Sequence, residues 1–230
     1  MRIYDAKINH LDNPLGFRLT HTVFSWKVAE TEGTKQTWAR IRVAEDITFT
    51  QMVYDSGCDE AANALAYPIE LSLKPRSRYF WKVAVCTDAR EEAESAVQWF
   101  ETAKQGEAWE GKWITCDNTE KRHPFFEKDI LPEKTIRKAR LYVCGLGLYE
   151  VFWNGERIGG EYLTPYSNDY NEWVQYQTFD VSEELQTGGK LSILLGNGWY
   201  KARFGFTAKE DVGFYGNEWK LTAEIRITYA

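Results

Sequence analysis

Short runs of apolar and aromatic residues recur between Gly, Pro, Asn and Asp turn signals along all 230 residues, and no apolar period of about 3.6 residues persists anywhere. A chain patterned this way has no amphipathic helical face from which to build a core. Its apolar residues can be buried only by pairing strands into sheets and packing the sheets on each other. The expected fold class is therefore all-β.

In the first hundred residues the strand-like runs fall at 23–28, 37–43, 52–54, 66–71, 78–86 and 97–101. About seven short strands in ~100 residues is the count of an immunoglobulin-like or fibronectin type III sandwich. The stretch Leu73 to Tyr79 leads into the strongest run, YFWKVAV, and has the form of a tyrosine corner, where a Tyr hydroxyl bonds back to upstream backbone. Trp26 and Trp81 then alternate inward as core residues.

The small polar stretch 103–108 ends this pattern, so the domains are expected at 1–104 and 109–230. Strand-like runs resume in WITCD, FFEKDI, ARLYVCGLGLYEVFWNG, VQYQTFDV, KLSILLGNGWY and WKLTAEIRITY. They suggest a second β-sandwich, a jelly roll of the galactose-binding type. Between them, DVSEELQTGGK allows one short helical turn, with Ser182 as N-cap and Gly188-Gly189 closing it.

Within GLGLYEVFWNGERIGG, Asn154-Gly155 is a type I′ hairpin signal, because both positions of that turn need positive φ. Gly145 and Gly147 are read as backbone devices that let the chain bend before this hairpin, while Tyr149 and Trp153 point into the sandwich.

Charge narrows the function classes. A net charge of −6 and a pI near 5.3 do not suit nucleic acid, which needs a concentrated basic patch. The basic stretches 134–140 and 74–78 are interleaved with other residues and read as solvated strand faces and turns. No apolar run reaches the roughly 18 residues of a membrane span, and MRIYDAKINH lacks a signal-peptide core, so a cytoplasmic location is expected. Cys58, Cys86, Cys116 and Cys144 have no metal-site spacing and are expected as free, mostly buried thiols. Glu150, Glu161 and Asp180 form no defined acid/base pair, and His10, His21 and His123 complete no nucleophile arrangement, so independent catalysis is not expected.

The run CGLGLYEVFWNGERIGGEYLTPYSNDYNEWVQYQTFDVSEEL, followed by LLGNGWYKARFGF, resembles the N-terminal β-sandwich of bacterial α-L-rhamnosidases, the family 78 glycoside hydrolases. The first domain is similar to the fibronectin-type module that precedes it in those enzymes, through Pro14-Leu15-Gly16, Phe24-Ser25-Trp26, Gln36, Tyr54 to Gly57 and Tyr79 to Val83. The resemblance implies that the catalytic carboxylates lie on a large α/α barrel C-terminal to these sandwiches and hydrolyse terminal α-L-rhamnose by inversion. Inversion needs a general acid and base roughly 6.5–9.5 Å apart. The missing barrel and rhamnosyl glycosides are the implied partners, and the 230 residues themselves are expected to be a non-catalytic scaffold or a support at the substrate mouth.

Two alternatives accompany that reading: a calcium-dependent rhamnose-binding module and a purely structural brace. For the first, Asp117 and Asn118 resemble the Asp-Asn pair of calcium sites in related jelly rolls, with Pro165, Asn168 and Asp169 approaching from the loop TPYSNDYN. The competing reading makes Asp117-Asn118 and Asn168-Asp169 turn pairs that bond their own backbone. Tyr166, Asn168, Asn197, Trp199 and Arg203 are the candidates for sugar or inter-domain contact. Tyr170, Trp173, Phe204 and Phe206 complete the aromatic set, read chiefly as packing.

Overall fold

A computed structural model describes residues 1–117, 122–202 and 213–230. The chain divides into two compact units, Met1–Ala108 and Trp109–Ala230. Both are β-sandwiches. No described helix is long and apolar enough to cross a membrane.

The first unit contains β1 (Arg2–Ile8), β2 (Leu15–Phe17), β3 (Thr22–Ala29), β4 (Gln36–Ala44), β5 (Met52–Asp55), β6 (Tyr67–Ile69), β7 (Arg78–Thr87), β8 (Glu92–Glu94) and β9 (Gln98–Thr102). One sheet runs β1-β3-β6 and the other β2-β9-β7-β4-β5, with β8 also on β7. Alternation places Tyr79, Trp81, Val83 and Val85 of β7, with Ala39, Ile41 and Val43 of β4, on the buried face. Phe24 of the facing sheet meets Trp81 edge-on at 4.8 Å. Trp26 is buried and keeps its indole N–H satisfied by donating to Gln36 at 3.1 Å.

The tyrosine corner is present: buried Tyr79 accepts the Lys74 backbone N–H at 2.8 Å, closing the bend before β7. The basic residues here are solvated but paired, Lys74 with Glu45, Arg76 with Glu107 and Arg78 with Glu101. Strands β1, β2 and β8 were not among the sequence runs. In β1 a register shift interrupts the alternation between Tyr4 and Lys7, and β2 and β8 have only three residues each.

The second unit contains β10 (Phe125–Ile130), β11 (Ile136–Gly145), β12 (Tyr149–Trp153), β13 (Glu156–Ile158), β14 (Gln177–Asp180), β15 (Gly189–Leu195) and β16 (Leu221–Tyr229). Its sheets run β10-β15-β12-β13 and β14-β11-β16. All pairings are antiparallel, and successive strands mostly cross from one sheet to the other, as in a jelly roll. Central β11 is buried continuously from Ala139 to Gly145, which explains its unbroken apolar spelling. Tyr149, Val151 and Trp153 of β12 pack inward with Leu191, Ile193 and Leu195 of β15. Asn154 and Gly155 have φ of 50° and 85°, as the hairpin turn requires, and the Asn154 side chain accepts the Lys190 N–H at 2.8 Å.

Three expectations are corrected. The helical turn is a 3-10 helix, Glu184–Thr187, whose N-cap is Glu183 and which has no side-chain cap. The Ser182 hydroxyl instead accepts from Ala139 N–H at 2.9 Å and bonds Asp180 at 2.5 Å, tying β14 to β11. Arg140 does not lie on a solvated face: it is 4% exposed and pairs with Asp180 at 2.6 Å, because its strand is central. Of the four free thiols only Cys86 and Cys144 are buried; Cys58 is exposed and Cys116 half-buried.

Candidate functional site

The second sandwich gathers its longest loops at one end. β11 finishes there at Gly145 and β16 begins there at Leu221, and Leu146 donates its N–H to Lys220 at 2.8 Å. Upstream, Gly111 N–H donates to Glu224 at 3.0 Å and Ile114 bridges Leu221, so residues 110–114 run back along β16 toward the same end. Loop 164–175 joins through Tyr149 N–H, which donates to Thr164 at 3.1 Å.

The glycines of GLGLY and GNGWY make this convergence possible. Gly147 has φ of 135°, and a Cβ there would run into the Gly196 carbonyl oxygen and lie 3.1 Å from that of Asn197. Gly198, at φ of 48°, would place a Cβ 2.8 Å from the Gly147 carbonyl carbon. The two loops therefore touch backbone to backbone, and Gly196 N–H donates to Leu148 at 2.7 Å across the seam.

A cleft of about 470 Å³ opens among these loops. Trp113, Tyr170, Tyr200 and Tyr215 give it an aromatic lining, Leu146 and Val174 add aliphatic surface, and Asn171 and Lys220 supply polar groups. Tyr170 stands tilted against both Tyr200 and Tyr215, with ring centroids 5.3 and 5.2 Å away. Burial pushes the Tyr170 phenol up to about 12, so it stays protonated, and its buried hydroxyl finds no hydrogen-bond partner among the described residues. Lys220 is held charged by Glu218, 3.0 Å away. Beside the cleft, Lys201 lies over the Trp219 ring at 3.1 Å, and burial lowers its pKa.

Of the residues singled out from the sequence, Tyr170 lines the cleft, and Tyr166, Asn168, Asn197 and Trp199 lie in the loops beside it. Tyr166 is 65% exposed and its N–H donates to Gln175 at 3.2 Å. Asn168 donates to the Trp173 carbonyl at 2.5 Å, and Asp169 accepts the Asn171 N–H at 3.0 Å, so both side chains serve their own loop. Asn197 is exposed and its carbonyl accepts the Lys201 N–H at 3.1 Å; Trp199 is 36% exposed. Asp117 is exposed, whereas Asn118, Arg203, Phe204 and Phe206 lie outside the described residues. Among the described residues no group of three His, Cys, Asp or Glu side chains is placed to hold a metal ion. Sequence reasoning did not single out Asn171, Tyr200, Tyr215 or Lys220. The Tyr200 and Tyr215 signals, GNGWY and FYGNEW, pair an aromatic with a nearby glycine, and Gly216 in fact packs under the Tyr200 ring.

Comparison with known proteins adds the family context. Residues 3–106 match the model of a Rha78A-like, N-terminal immunoglobulin domain, and residues 134–230 that of an alpha-L-rhamnosidase N-terminal domain. An alpha-L-rhamnosidase of Formosa agariphila is 30% identical over 226 residues, covering 84% of this chain and 24% of the relative. One of Streptomyces avermitilis is 36% identical over 135 residues, covering 56% of this chain and 12% of that protein. The chain thus spans at most about a quarter of the length of these relatives. Among solved structures, alpha-L-rhamnosidase from Dictyoglumus thermophilum superposes over 100% of this chain and 28% of its own, with a TM-score of 0.85 and 29% identity. The Streptomyces avermitilis enzyme complexed with L-rhamnose gives 0.87 at 19% identity, over 100% of this chain and 39% of its own, and shares the fold.

Proposed function

This chain belongs to the N-terminal domain families of α-L-rhamnosidases, and we propose that its two sandwiches are the non-catalytic support of a longer enzyme that hydrolyses α-L-rhamnosides. The carrying observation is the exposure of large apolar side chains on the loop end of the second sandwich. Leu163, Tyr166, Trp173 and Phe214 are exposed by 70, 65, 55 and 63%. Large apolar side chains exposed in the loops of one unit suit a contact face. Its occupant is the body of the longer enzyme, since the parts that match this chain make up only 24% and 12% of these relatives. Among the described residues, no carboxylate and no imidazole lines the cleft among these loops, whereas glycoside hydrolysis needs an acid and a base.

The test is a chimera in which this chain replaces the matching segment of the Dictyoglumus thermophilum enzyme. In that background, changing Leu163, Tyr166 and Trp173 together to Ser is expected to lower the thermal midpoint and leave kcat on a chromogenic α-L-rhamnoside unchanged at low temperature. An unchanged midpoint would remove the contact face from the account.

A further inference from the structure

We propose that Asn197 is a site of spontaneous deamidation in the folded chain, a modification independent of the support role proposed above. Asn is a labile residue, most of all where the next backbone nitrogen can reach its carboxamide carbon. Two Asn-Gly pairs occur, Asn154-Gly155 and Asn197-Gly198; every other Asn precedes a residue whose side chain or ring crowds that approach. In the step itself the Gly198 amide gives up its proton to hydroxide, and its nitrogen bonds the Asn197 Cγ. The Cγ–Nδ2 bond breaks, and the nitrogen takes a proton from water and leaves as ammonia. Water then opens the cyclic imide at either carbonyl. The product is Asp, or the isomer joined to Gly198 through the side-chain carboxyl carbon.

The fold treats the two pairs differently, although both Asn residues are exposed. The Asn154 oxygen accepts the Lys190 N–H at 2.8 Å, and its amide lies against Gly189, where a Cβ would come within 2.5 and 2.7 Å of the oxygen and nitrogen. These contacts hold the carboxamide toward β15, whereas the chain turns at Gly155 toward β13, the opposite neighbour of β12. Among the described residues neither the Asn197 side chain nor the Gly198 N–H makes a hydrogen bond, so no such bond has to break before they meet. The consequence is structural. The isomer carries one more methylene in the main chain, and it enters at the seam where Gly196 N–H donates to Leu148 at 2.7 Å and Gly198 packs on the backbone of Gly147 and Leu148. Lengthening the chain there pushes the two loops apart and loosens the loop end of the second sandwich.

The experiment is timed incubation of the intact chain in mildly alkaline buffer, native and in guanidinium chloride, with peptide mass mapping at Asn154 and Asn197. Native Asn197 is expected to convert about tenfold faster than Asn154, equivalent to about 1.4 kcal/mol, the scale of the Lys190 hydrogen bond that Asn154 must first give up. In denaturant the two rates should converge, because the local sequence motif is the same. Asn197→Gln, which keeps an amide but closes the ring poorly, should stop conversion at that position. The aged fraction carrying the isomer should melt below fresh protein in calorimetry. Asn197→Asp, with the charge but no longer chain, should melt within about 2 °C of fresh protein, as an exposed substitution does. Equal native rates at the two positions, faster conversion of Asn154 or no conversion of Asn197 would overturn the site. Rates that stay apart in denaturant would overturn the part given to the fold, and an isomer fraction that melts with fresh protein would overturn the seam argument.

Discussion

Replacing Gly147 by Ala should destabilise the second sandwich alone, by an amount the loop geometry sets. The residue sits at φ of 135°, where an L side chain is strained by about 1–3 kcal/mol. The new methyl would also meet the Gly196 carbonyl oxygen, and both obstacles at that point are backbone. The opposing loop can retreat only by giving up the 2.7 Å bond from Gly196 N–H to Leu148, worth about 1 kcal/mol. Together these give about 2–4 kcal/mol. For a unit the size of Trp109–Ala230, each kcal/mol lowers the midpoint by roughly 4 °C, so a fall of roughly 8–16 °C is expected. Differential scanning calorimetry measures the fall, and amide hydrogen exchange locates it, with protection lost first at Tyr149 and Gly196. A fall of less than about 2 °C, or lost protection confined to Met1–Ala108, would refute the backbone-contact argument.

The first sandwich should weaken in acid. Hydrogen bonds from Lys27 and then Lys7 hold Asp5 at about 2, and Arg40 does the same for Asp55, both below the ordinary 3.8. Between those values the unfolded chain binds more protons than the folded one, so their stabilisation is complete above about pH 4 and lost as pH falls toward about 2. Urea midpoints across that range should drop, and Asp55→Asn should flatten the slope; an equally steep slope in the variant would count against the assignment. Tyr79→Phe should cost the first unit about 1 kcal/mol by removing the acceptor of the Lys74 N–H, visible as a lower urea midpoint at constant m-value. A maleimide should label exposed Cys58 in the native chain and leave Cys144, whose thiol burial raises to about 12, unmodified until unfolding. Native labelling of Cys144 at a rate matching Cys58 would contradict its placement in β11.

The all-β class and the long strands were legible from two spellings, alternation in YFWKVAV for β7 and an unbroken apolar run for central β11, and Asn154-Gly155 spells out the β12–β13 turn. The tyrosine corner was legible because one residue type at one offset does the work. Short edge strands such as β2 and β8 were not, since three residues carry no period. Nor was the burial of Arg140, which follows from its strand being paired on both sides, a non-local fact. Of the residues singled out from the sequence, Tyr170 lines the cleft, while Tyr166, Asn168, Asn197 and Trp199 only share loops with lining residues. Asn171 and Lys220 are ordinary polar letters until folding brings distant loops together, whereas Asn168, which drew attention, is spent on the carbonyl of Trp173.

The central claim, that these sandwiches support a rhamnosidase without performing its chemistry, is tested most directly by assaying the purified chain on a chromogenic α-L-rhamnoside over extended incubation. The account predicts release no faster than the buffer blank. Saturable turnover that co-purifies with the chain and is lost when Asp or Glu residues at the loop end are neutralised would contradict it.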